Sequence, residues 1–188
     1  MSEKKVVLGI TGASGSILAQ RFLETAICDV HLVISSNAGT VIEYETGKSE
    51  DDFIKLARHV YDDRDVAARI SSGSFIFDAM VIMPCSMNTL AKISSGIADS
   101  LITRAASVAL KERRRLILVP REMPLSQIAI ENMLRLTNAG AIIAPAMPAF
   151  YTKPKSVDDM VDFMVGRVMD LCGLENSLVK RWREEERD

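Results

Sequence analysis

The chain has 188 residues, 48% of them hydrophobic, and a formal net charge of -2 at pH 7. That is ample material for a core, and one domain spanning 1–188 is expected. The charge provides no basic field for nucleic acid, and no stretch approaches the roughly 20 uninterrupted apolar residues of a bilayer span. With no secretory apolar segment at the start, a soluble cytoplasmic protein with no membrane partner is expected. Cys28, Cys85 and Cys172 are far apart, form no CxxC and are joined by only two histidines. Reduced thiols, no structural disulfide and no metal site are the expectation.

In chain order, Val6-Val7-Leu8-Gly9-Ile10 has the near-continuous apolar character of a parallel strand covered on both faces. It breaks into Thr11-Gly12-Ala13-Ser14-Gly15-Ser16, where glycines allow a tight turn and hydroxyls surround the start of the next helix. Unpaired amides and the positive end of the helix dipole make such a turn an anion site, with phosphate as the usual occupant. A helix over about 15–27 is followed by the strand Asp29–Ser35, which ends in Ser35-Ser36-Asn37. A fold holding NAD usually ends this strand with an acidic residue for the ribose, so a mononucleotide such as FMN is favoured. The charge-rich section from Gly39 to Ser74 reads as two or three short helices. Residues 41–46 form one of them, with Val41, Tyr44 and Glu45 on one face and Glu45 solvated.

A third strand, Asp78–Pro84, opens onto Cys85-Ser86-Met87-Asn88-Thr89. Ser86 would cap the next helix and, with Asn88 and Thr89, place donors at the ligand edge of a parallel sheet. The amphipathic helix from Asp99 to Arg113 turns Leu101, Ala105, Val108 and Ala109 inward and carries Arg104 and Lys111 on one outer face. The strand Leu116–Val119 stops at Pro120-Arg121-Glu122-Met123-Pro124, where two prolines hold a charged pair at the ligand edge. A helix from Ser126 to Asn138 is closed by Gly140, and Ala141–Ala144 is a fifth strand. The apolar, proline-stiffened segment 145–154 suits a greasy pocket or a subunit contact. Ser156 caps a last long helix with Val157, Met160, Val161, Met164, Val168 and Leu171 as its stripe. Residues 176–188 read as a charged helix anchored by Leu178 and Trp182.

Five strand–helix alternations predict a doubly wound, flavodoxin-like (Rossmann-like) parallel sheet in three α/β/α layers. TGASG at 11–15, PCSMNT at 84–89, TRAASVALKERRRLILVPRE at 103–122 and PAFYTKP at 148–154 together resemble the UbiX-type flavin prenyltransferases. The resemblance implies one flavin prenyltransferase domain over 1–188. It implies an enzyme that joins the dimethylallyl group of dimethylallyl monophosphate to reduced FMN, without a metal. The product would be the prenylated FMN that UbiD-type decarboxylases use, and the assembly a homo-oligomer, commonly a dodecamer with sites between subunits. Gly12, Ala13, Ser14, Ser35, Ser86, Met87, Asn88, Thr89 and Arg121 match FMN-binding positions. Tyr151 and Arg167 match positions that hold the allylic phosphate. Arg104, Lys111 and Glu122 match phosphate-side and acid–base positions, and Glu45 a carboxylate lining the prenyl site.

Such residue types suit the chemistry. An allylic phosphate departs more readily when cations neutralise it and an acid protonates it, and the ring closure that follows needs a base. Glu122 is the first choice for that switching role, with Glu45 and Ser14 assisting. A short-chain dehydrogenase would place Tyr151 and Lys155 on a helix that Pro154 breaks. A flavin-dependent cysteine decarboxylase would need a histidine near the first helix, whereas His31 lies in a strand and His59 in the charged section. A non-catalytic FMN carrier would leave the cations Arg104, Lys111, Arg121 and Arg167 without a purpose.

Overall fold

The computed structural model describes residues 3–179. It contains strands β1 (Lys5–Ile10), β2 (Asp29–Ile34), β3 (His59–Asp62), β4 (Ala79–Cys85), β5 (Arg115–Pro120) and β6 (Ile142–Ile143). All pair in parallel, in the order β3-β2-β1-β4-β5-β6. Without β3 the order is the flavodoxin-like one expected from the sequence. The additional edge strand lies in the charged section read as helices only. That section does contain helices α2 (Ala38–Thr46) and α3 (Glu50–Ile54) and a single 3₁₀ turn at Arg69–Ser71.

Strand alternation divides the apolar side chains between two cores. Val6, Leu8 and Ile10 of β1, Ala79, Val81 and Met83 of β4, and Ile117 and Val119 of β5 face one layer. That layer consists of α1 (Ser16–Thr25), α2, α3 and α7 (Val157–Cys172). Val7, Met80, Ile82, Leu116 and Leu118 face the other, made by α4 (Met87–Ser94), α5 (Leu101–Lys111) and α6 (Gln127–Asn138). A strand buried on both sides has no polar position to spare, which explains the continuous apolar runs. Gly9 is the exception in β1, because a Cβ there would stand 3.3 Å from Ile102 of α5.

Helix ends follow the predicted caps. The Ser86 hydroxyl accepts from the Thr89 amide, Ser126 from Ala129 and Ser156 from Asp159. Gly140 adopts φ +98° just beyond α6, a left-handed stop that favours glycine. The stripe of α7 is rotated from its expected register. Val161, Val165, Val168, Met169 and Cys172 are buried, whereas Val157 is exposed. In α2 it is Ile42 that enters the core, and Tyr44 points to solvent. Residues 177–179 form bends and 176 is irregular, rather than the start of a helix, and Trp182 lies outside the described residues.

The three cysteines are unpaired, and burial pushes the thiols of Cys28, Cys85 and Cys172 up to about 12. They remain protonated near neutral pH, as inert reduced thiols do. No helix among the described residues is long and apolar enough to cross a membrane.

Candidate active site

In the 3-2-1-4-5-6 order the strand order reverses between β1 and β4, and the crevice at their carboxyl ends is where such sheets bind ligands. Two elbows meet there, and Thr11 joins them. Its hydroxyl donates to the carbonyl of Pro84 at 2.8 Å and accepts from the amide of Ser86 at 2.8 Å. The Thr11 amide adds a bond of 3.2 Å to the same carbonyl. Thr11 is buried, so this hydroxyl serves the scaffold rather than a ligand as its sequence setting had suggested. A third turn closes against the first. The Ser35 amide donates to Ile10, and a Cβ on Gly12 would come within 3.0 Å of the Asn37 Cβ. The segments 11–16, 35–37 and 86–89 therefore converge as expected, carrying Gly12, Ala13, Ser14, Ser35, Ser86, Met87, Asn88 and Thr89.

The α1 N-terminus attracts an anion, and within this chain the anion is Glu45 of α2. Gly15 donates its amide to Glu45 Oε1 at 3.0 Å and Oε2 at 2.9 Å, and Ser16 to Oε2 at 2.8 Å. Gly15 sits at φ +118°, a conformation that strains any other residue. Partial desolvation is the largest single influence on Glu45 and raises its pKa. The Ser14, Gly15 and Ser16 bonds together outweigh it and hold the group below its ordinary value. Glu45 is thus no freely solvated surface carboxylate. Its partners lie 30 residues away along the chain, beyond the reach of local pattern.

Arg121 and Glu122 emerge at the carboxyl end of β5, and both are exposed. The following segment is tied beside them, since Ala144 donates its amide to Leu118 and Ala146 to Pro120. Residues 145–147 separate two cavities. One, of about 220 Å³, is lined by Arg121, Glu122, Leu125 and Met133. The other, of about 230 Å³, is walled by Leu18, Met83, Val119, Phe163 and Met164, with Arg167 as its charged member. Arg167 donates to Asp170 at 2.8 Å, and the Tyr151 ring meets Phe163 edge-on with centroids 6.0 Å apart. Phe163, Leu125 and Met133 were not singled out by the sequence, although the apolar spacing of the helices that carry Phe163 and Met133 was visible.

Arg104 and Lys111 are placed differently. Lys111 ends α5 just before β5 begins, so it stands at the amino edge of the sheet and pairs with Glu112. Arg104 lies in the first turns of α5, whose start is held by the Asp63 carbonyl and carboxylate after β3. Within one chain, neither joins Arg121 and Glu122 beyond β5.

A crevice of hydroxyl and amide donors beside apolar cavities and exposed cations defines an α/β protein built for a flavin or nucleotide and an apolar co-substrate. The family model described as Flavoprotein matches residues 1–169. Flavin prenyltransferase UbiX of Thermoplasma acidophilum is 59% identical over 95% of this chain and 99% of its own. The solved structure of AnUbiX in complex with FMN and dimethylallyl pyrophosphate superposes with a TM-score of 0.94 at 46% identity, covering 96% of this chain and 98% of that one. The dodecameric FMN-dependent UbiX-like decarboxylase of Escherichia coli O157:H7 gives 0.90 at 50% identity, over 95% and 98%. The chain belongs to the UbiX flavin prenyltransferases of the flavoprotein family.

Two substitutions test this architecture. Thr11→Val keeps the shape but leaves the Ser86 amide without its acceptor. A loss of about 1–3 kcal/mol in urea unfolding is expected. For Glu45, a folded pKa below the unfolded one gives stability that is present above the ordinary carboxylate value of 4.5 and lost as pH falls through the folded value. The native melting temperature should therefore fall more steeply than that of Glu45→Gln as pH drops below about 4.5, in thermal scans at matched ionic strength.

Proposed function

We propose that this chain transfers a dimethylallyl group from dimethylallyl monophosphate to reduced FMN, and that the whole chain acts as one flavin prenyltransferase unit. Its product would serve a UbiD-type decarboxylase. The observation that carries this reading is the apolar cavity bearing Arg167, separated only by segment 145–147 from the cavity of Arg121 and Glu122. A carrier of flavin alone has no use for a greasy chamber flanked by a second set of phosphate-binding groups.

Gly12, Ala13, Ser14, Ser35, Ser86, Met87, Asn88 and Thr89 would hold the flavin through short-range donors, with Arg121 at its charged end. The uncharged hydroxyl and amide donors suit a ribityl chain and phosphate, and the neighbouring apolar walls suit a ring system and a prenyl tail. Reduced FMN supplies the electron-rich nitrogen and carbon to which the allylic group becomes bonded. Tyr151 and Arg167 would grip the allylic phosphate, so that the charge growing as its carbon–oxygen bond breaks is met in place. Glu122 would deliver a proton to the departing phosphate and later take one from the ring carbon. Glu45, held ionised by the α1 turn, would line the prenyl site with Ser14.

Arg104 and Lys111 would act across subunits, because their own chain keeps them away from Glu122. Homo-oligomerisation accounts for a further feature. Met123, Ile128, Leu134, Met147 and Phe150 are large, apolar and exposed on α6 and on the segments that follow β5 and β6. The dodecameric relative from Escherichia coli supports an assembly of this kind here.

The decisive assay is anaerobic incubation of the protein with reduced FMN and dimethylallyl monophosphate, followed by mass and absorbance measurement of the bound flavin. A flavin heavier by one prenyl unit is expected, and Glu122→Gln should slow its formation by about 10²–10⁴-fold. Flavin bound tightly but unchanged with either the monophosphate or the diphosphate would overturn the reading.

A further inference from the structure

The amino edge of the sheet, opposite the candidate active site, holds a group of residues that the prenyl chemistry does not use. Asp29 and His31 are two apart on β2 and project to one face, and the register of β2 with β3 sets His59 beside His31. Asp29 thereby reaches both rings. Its Oδ2 is 3.4 Å from His31 Nε2, and its Oδ1 is 3.4 Å from His59 Nε2. One nitrogen or oxygen from each of the three residues lies within 4.8 Å of the other two. Two histidines therefore suffice to build a cluster that their separation in sequence had concealed.

Three observations point to a ligand rather than to a simple polar contact. A separation of 3.4 Å is too long for a good hydrogen bond. It matches the edge of a tetrahedron of nitrogen and oxygen ligands at about 2.0–2.1 Å from a central Zn²⁺ ion. His31 Nε2 and Asp29 Oδ1 are also buried without a hydrogen-bond partner, in residues that are 1% and 9% exposed. Buried polar atoms are seldom left so, and each such atom calls for an explanation. Finally, His31 Nδ1 bonds the Tyr61 hydroxyl at 2.8 Å, which fixes the ring and turns Nε2 toward Asp29. Metal-bound imidazoles are oriented by this kind of contact on the second ring nitrogen.

We propose that Asp29, His31 and His59 bind a late first-row divalent cation, of which Zn²⁺ is the type, and so fasten the edge strand β3 to β2. Two imidazoles and one carboxylate are the donor set of such ions rather than of Mg²⁺ or Ca²⁺. The rings now stack with centroids 4.5 Å apart and planes 11° apart, and no single ion can lie in both planes. His59 is the ligand that turns. Its side chain is 39% exposed, whereas His31 is packed against the edge of Phe75 and tied to Tyr61. Water completes the shell on the exposed side. The Arg69 guanidinium and the Lys5 ammonium, both over the Phe75 ring, are neighbouring positive charges that limit the affinity.

The test is titration of the chelator-treated full chain with Co²⁺, read by visible absorption. The expected result is a saturable tetrahedral spectrum at one ion per chain, without a thiolate charge-transfer band, displaced by Zn²⁺. Zn²⁺ should raise the melting temperature of the native protein and leave that of His59→Gln unchanged. Tyr61→Phe, which keeps all three ligands, should weaken binding by about tenfold or more. His59 is partly exposed, so its variant should fold, as circular dichroism will verify. Absence of saturable binding to the folded protein would overturn the proposal. Binding unaltered in His59→Gln, or a spectrum of thiolate ligation, would overturn it equally.

Discussion

The site depends on one side chain acting in two directions. Thr11 gives its hydroxyl proton to Pro84 and receives the amide proton of Ser86, so the elbows after β1 and β4 cannot move apart without losing both bonds. Neighbouring parallel strands have no hairpin to join their ends and depend on such lateral ties beyond the ladder. Gly12, closely approached by Asn37, brings in the elbow after β2. Three turns from distant parts of the sequence are thereby locked into one cradle before any ligand arrives, and preorganisation of this kind is what a transferase requires of its donors.

Glu45 shows how the scaffold and the chemistry share a group. Its carboxylate satisfies two amides at the start of α1, so it is both a helix cap and a charged wall of the proposed prenyl site. A carboxylate held in this way stays ionised and oriented.

Much of this was legible in the sequence. β1, β2, β4 and β5 were readable because a strand buried on both faces must be apolar throughout, and the elbows because their glycines and hydroxyls have few other uses. β3 was not. At an edge only four residues long, His59-Val60-Tyr61-Asp62 is half solvated and has no apolar run to announce it. The register of α7 was displaced because its partners are set by α1 and the sheet, not by its own spacing. Arg121 and Glu122 were placed correctly at the end of β5, since prolines and strand direction are local facts. That Arg104 and Lys111 stand away from them, and that Asp29, His31 and His59 meet, are consequences of topology that no window of sequence contains.

The rim formed by Met123, Ile128, Leu134, Met147 and Phe150 also bears on the chain's life before the proposed assembly. A newly made copy carries this rim into solvent, where it can adhere to other unassembled chains as readily as to its proper neighbours. Yield in the cell is then governed by a race between ordered association and aggregation. Slower synthesis would tilt that race without any change in the stability of the folded subunit.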